Sequence, residues 1–168
     1  MISNLGAVFW AAAAGICGFC SVLLRGKSET RYSSSFFLFA CFLTLLLLFD
    51  DLFMAHEMLS GTWLSGKWAI RERYTLGTYL VITAIFLFTF RKQIMQSEAI
   101  LLASALGLFA LSLGIDLLPE HILSSYLQVI EDGHHLLEDG AKFLGIVGWF
   151  GYFFCVGRKT LDNIGEHS

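Results

Sequence analysis

Residues 36–59 read FFLFACFLTLLLLFDDLFMAHEML. The run is apolar on every helical face up to Phe49, a pattern that water-facing helices do not carry, and it then meets two acids, Asp50 and Asp51. A hydrocarbon layer of about 30 Å is crossed by about 20 apolar residues in a helix, so this stretch reads as a membrane span. Four more spans follow by the same rule, at about 5–24, 74–90, 98–118 and 136–157. Ser97 is placed to cap the fourth, and Pro119 ends it. The expected fold is all-α, a multi-pass transmembrane bundle of five helices forming a single integral membrane domain over residues 1–168.

Composition points the same way. Hydrophobic residues make up 56% of the chain and charged ones 15%, there is one proline, and mean hydropathy is +0.67. Soluble domains carry about 25% charge, so a soluble, disordered or collagen-like chain is excluded. A net charge of −3 without a basic run argues against nucleic acid as a partner; the expected partner is the lipid bilayer. Arg25 and Lys27 follow the first apolar run instead of preceding it, which predicts a retained helix, not a cleaved leader.

Basic residues set the expected orientation. Arg25, Lys27, Arg31, Arg91, Lys92, Arg158 and Lys159 fall on one side, against Lys67, Arg71 and Arg73 on the other. The excess marks the cytoplasmic side, which puts the N-terminus outside and the C-terminus in the cytoplasm. The sequence does not say which membrane.

With that topology the polar residues gather. His56, His121, His134 and His135 fall at the outer ends of spans, as do Asp50, Asp51, Glu57, Glu72, Asp116, Glu120, Glu131, Asp132, Glu138 and Asp139. Asp50 lies about 21 Å along its helix from Phe36, still inside the hydrocarbon. An acid at that depth costs a few kcal/mol unless it is paired, neutralised or facing water. At about 100° per residue, Asp50 and Glu57 share a face, whereas Asp51 and His56 point elsewhere. Glu131, His135, Glu138 and Lys142 form one stripe of the fifth helix, flanked by His134 and Asp139.

Carboxylates and imidazoles on facing helices are the ligand chemistry of Zn, Fe or Mn. Glu131-x-x-His134 and His135-x-x-Glu138 resemble the Glu-x-x-His spacing of di-iron carboxylate bundles, although both lie on one segment. The expectation is a divalent-metal site near the outer surface, with Asp50, Glu57, His135 and Glu138 as core ligands. Asp116, Glu131, His134 and Asp139 fill the remaining positions or support them. A metal there would activate water for chemistry on a membrane-embedded substrate. Two other readings use the same residues: a proton or ion relay, and a non-catalytic scaffold whose acids pair with Lys142, Arg71 or Arg73.

Cys17-x-x-Cys20 reads as packing, since it lies in the cytoplasmic half of its helix and faces a reducing compartment. Gly107, Gly114, Gly140, Gly145, Gly148 and Gly151 suit close helix contact, mainly within the chain and secondarily in a homo-oligomer. Trp63, Trp68 and Tyr74 read as an aromatic belt at the outer interface.

Overall fold

A computed structural model describes residues 2–26, 32–53, 68–116 and 133–166, with side chains over 5–26, 32–52, 77–115 and 139–165. Six helices make up the described chain: α1 (Ile2–Leu23), α2 (Ser34–Phe53), α3 (Trp68–Thr89), the short α4 (Arg91–Met95), α5 (Ala99–Asp116) and α6 (Gly133–Glu166). There is no strand among the described residues.

Three helices are long and apolar enough to cross a membrane: Leu5–Leu23, Ser34–Leu52 and Asp139–Gly165. The apolar stretches Gly77–Thr89 and Ala99–Ile115 are shorter. Helix α3 begins at Trp68, ahead of the expected position 74, because the polar Arg71-Glu72-Arg73 triplet continues the helix. Helix α6 runs on past position 157 to Glu166; its 34 residues measure about 51 Å, longer than the hydrocarbon is thick. The expected end of the second span, residues 54–59, lies outside the described residues. Helix α1 stops where Gly26 adopts φ 84°, a left-handed conformation that glycine accepts without a Cβ penalty.

Contacts along the helices fix their directions. Ser34 Oγ donates to the Ser21 carbonyl at 2.8 Å, while at the far end a Cβ on Gly6 would sit 3.7 Å from the Asp51 carboxylate. Helices α1 and α2 are therefore antiparallel. Helix α6 runs parallel to α1, with Trp149 edge-on to Trp10 and Gly157 against Ile16. Helix α5 runs antiparallel to α6: a Cβ at Gly145, Gly148 or Gly151 would meet Phe109, Ala105 or Leu101 in turn. Helix α3 runs antiparallel to α2, from Tyr79 beside Asp50 to Phe86 and Phe90 beside Phe36. Directions alternate along the chain, as successive membrane passes require.

A ring cluster lies in the half of the bundle that holds the start of α2. Phe36, fully buried, has Tyr32, Phe37, Phe86, Phe90 and Phe153 around it at centroid distances of 5.2–6.2 Å. Offset and edge-on ring pairs at such distances are attractive beyond their buried area. Deeper in, Trp149 Nε1 donates to Thr44 Oγ1 at 3.1 Å, and Thr44 Oγ1 donates to the Ala40 carbonyl at 2.7 Å. That chain satisfies two buried polar groups without water. Cys17 and Cys20 are buried free thiols in the same core, as packing predicts.

The glycine expectation holds for Gly145 and Gly148 of α6 and fails for Gly140 of α6 and for both glycines of α5. Gly145 and Gly148 give Phe109 and Ala105 their room, whereas a Cβ at Gly107, Gly114 or Gly140 would meet nothing within 4 Å. Ser97 also differs from the expected cap. Its hydroxyl turns back to donate to the Ile94 carbonyl at 2.6 Å and shares a hydrogen bond with the Tyr152 hydroxyl at 2.8 Å. Outward faces carry Val8, Phe19, Leu38, Phe42, Phe49 and Ile100, all exposed. So much outward apolar surface is compatible with membrane insertion and foreign to a water-soluble monomer.

Candidate functional site

Alternating directions divide the charged residues between two ends. The ends of α1 and α3, the start of α2, α4, the start of α5 and the end of α6 carry Arg25, Arg91, Lys92, Arg158 and Lys159. The opposite end carries Asp50 and Asp51 at the close of α2, Arg71, Glu72 and Arg73 early in α3, Asp116 at the close of α5, and His134, His135, Glu138, Asp139 and Lys142 in the first three turns of α6.

Register aligns these positions further. Gly145 packs on Phe109, and α5 and α6 are antiparallel. Asp116 stands two turns beyond Phe109, and Glu138 two turns before Gly145, so the two positions are at one level. Asp51 reaches Lys142, one turn from Glu138, and this ties the close of α2 to the same level.

Side chains are described for part of the set. Lys142 Nζ lies 2.6 Å from Asp51 Oδ1, joining α6 to α2. The two partners are unequally buried: the aspartate side chain is 8% exposed and the lysine 47%. The Tyr79 hydroxyl donates to Asp50 Oδ1 at 3.0 Å, joining α3 to α2. Neighbouring acids on one helix thus brace it to two different helices, and the Asp51 carboxylate lies within ordinary contact range of a Cβ at Gly6 on α1. Asp139 is exposed.

The scaffold reading pairs the acids with Lys142, Arg71 or Arg73, and the described partner of Lys142 is Asp51. Helical phase had set Asp51 apart from the Asp50–Glu57 face, and this separation is what turns it toward α6. Sequence reasoning omitted Asp51 from the site for that reason. The signal was available: an acid one residue from Asp50, at similar depth, needed a cation of its own.

Glu57 and Glu131 lie outside the described residues. Asp116, His134, His135 and Glu138 have described helical backbone only. Among the described residues no three His, Cys, Asp or Glu side chains come together as a metal-binding group.

No curated protein and no solved structure matches the chain. A family model described as a domain of unknown function, DUF8692, matches residues 1–156, nearly the whole sequence. The chain belongs to that family.

Proposed function

We propose that this is a five-pass membrane protein, N-terminus outside and C-terminus cytoplasmic, whose acid-bearing outer end binds a divalent cation. The ligands in this reading are Asp50, Glu57, His135 and Glu138, with Asp116, Glu131, His134 and Asp139 completing or supporting the shell. Zn, Fe or Mn suits a mixed carboxylate and imidazole set. One observation carries the reading: α2, α5 and α6 turn their acid-bearing ends to the same end of the bundle, with positions 51, 116, 138 and 142 within about a turn of one level. Acids gathered at one depth in an apolar layer demand cations, and Lys142 serves one of them. A bound metal would serve the others and lower the pKa of a coordinated water, the starting point for hydrolysis or oxidation of a membrane-embedded substrate.

Elemental analysis of the detergent-purified full chain tests this. Metal is expected in the wild type and lost from Asp50→Asn and Glu138→Gln, with helix content unchanged. Metal-free wild type of full helix content overturns it.

A second reading is favoured by the Asp51–Lys142 pair itself. A nearly buried carboxylate against a half-exposed ammonium is also the arrangement of a proton or ion relay, in which the lysine swings between its partner and water. Acid-stimulated flux in liposomes without added metal would select it.

A further inference from the structure

The basic end holds a feature that the proposed cation site does not use. Helix α4 lies at that end, between α3 and α5 in the chain. Its inner side is fixed to the bundle: Ile94 is buried, Gln93 Nε2 donates to Ser33 Oγ at 3.2 Å, and Gln93 Oε1 accepts from the Ser33 amide at 3.2 Å. Its outer side presents Arg91, Lys92 and Met95.

Two independent observations bear on what meets that outer side. The first is charge. Lys159 pairs with Glu98, and Arg158 lies 3.8 Å from Asp162. Arg25, Arg91 and Lys92 are exposed and face no acid among the described residues. The second is apolar exposure. Phe88, Met95 and Ile100, at 76%, 78% and 87%, are the most exposed large apolar side chains described, and all three flank or belong to α4. Exposed cations that face no acid among the described residues, close in the chain to outward apolar side chains, match one ligand chemistry, an anionic headgroup joined to hydrocarbon.

We propose that α4, with Arg25 at the neighbouring end of α1, is a seat for anionic phospholipid. Arg91 and Lys92 hold the phosphate, Arg91 through the planar fork of its guanidinium and Lys92 as a point charge. Phe88, Met95 and Ile100 lie along the acyl chains. Orientation of the chain by its basic residues needs charge alone and places no requirement on neighbouring apolar side chains. A lipid seat needs both at one place. The inference is independent of the metal reading and of which side the basic end faces.

The test uses the purified full chain in mixed micelles. Phosphatidylglycerol or phosphatidylcholine is titrated, with retained lipid read by native mass spectrometry and protection by thermal unfolding. Wild type is expected to prefer phosphatidylglycerol. A lysine or arginine near an anionic surface is worth about fivefold in binding, so Arg91→Gln with Lys92→Gln should weaken phosphatidylglycerol binding roughly 20-fold and leave phosphatidylcholine unchanged. Arg91→Lys, which keeps the charge, should keep the preference and guards against a folding defect in the double variant. Equal retention of the two lipids by wild type overturns the proposal, as does an unaltered preference in a folded double variant. Protection by inorganic phosphate equal to that by phosphatidylglycerol would likewise overturn it, since the acyl contacts would then contribute nothing.

Discussion

The two ends of this bundle are held together by different physics. At the basic end, rings from α2, α3 and α6 close around Phe36, and neutral hydrogen bonds such as Ser34–Ser21 and Gln93–Ser33 fasten the turns. At the acid end the described long-range polar contacts are Asp51–Lys142 and Tyr79–Asp50, each reaching from α2 to a different helix. The first arrangement is short-ranged and indifferent to pH. The second depends on charge and on what else neutralises it. The bundle is thus anchored at one end by packing and braced at the other by polar contacts of α2.

The sharpest way to break the comparison is at the ring cluster. Phe36→Ala removes a fully buried ring that meets five others. A loss of about 3 kcal/mol is expected, the low end for a buried phenylalanine, because an unpacked membrane helix still keeps the position out of water. Denaturant unfolding in detergent measures it. A loss below about 1 kcal/mol would mean that the cluster is not the anchor.

Next in size is the ion pair. Lys142→Met leaves the Asp51 carboxylate nearly buried without its cation and should cost about 2 kcal/mol. That is below the full value for a buried pair because the ammonium is half-exposed. Asp51→Asn in the same background should recover most of the loss, since no buried charge then remains. Failure of the second change to rescue the first would show that the two side chains do not act on each other.

These contacts also mark what the sequence could disclose. Helices α1 and α2 were legible because a long apolar run has few other homes than a bilayer, and α6 was legible from its apolar stretch after Lys142 despite a polar start. The early start of α3 was hidden by Arg71-Glu72-Arg73, which stops a hydropathy reading without stopping a helix. The extension of α6 to Glu166 was hidden for the same reason, since a polar tail contributes nothing to an apolar count. Helical phase placed Asp50 and Asp51 on different faces but could not say that α3 lay against one and α6 against the other. That information resides in packing. Gly107 and Gly145 look alike in the sequence, yet one faces open space and the other a phenyl ring, because a glycine does not name its neighbour.

The smallest expected effect tests how little the ion pairs of the basic end add to its packing. Lys159 holds the Glu98 carboxyl below its ordinary value of 4.5, through a hydrogen bond first and charge second. A lowered carboxylate contributes stability that is fully present above 4.5 and is lost as pH falls through the lowered value. Lys159→Met should therefore remove a small stabilisation at neutral pH that is already absent in strong acid, slightly flattening the acid limb of the stability curve. A change at neutral pH as large as that of Lys142→Met would erase the distinction between the two ends.

The central claim, a cation held at the acid end, is tested most directly by following bound metal in the purified wild-type chain as pH is lowered. Metal ligation needs neutral imidazole, and histidine titrates near pH 6.5 when free. Binding moves that competition to lower pH by mass action. The account predicts metal retained at neutral pH and released by about pH 5, with helix content preserved, and release at higher pH in His135→Ala. A folded wild-type chain that carries no metal at neutral pH, or that keeps its metal well below pH 4, would contradict it.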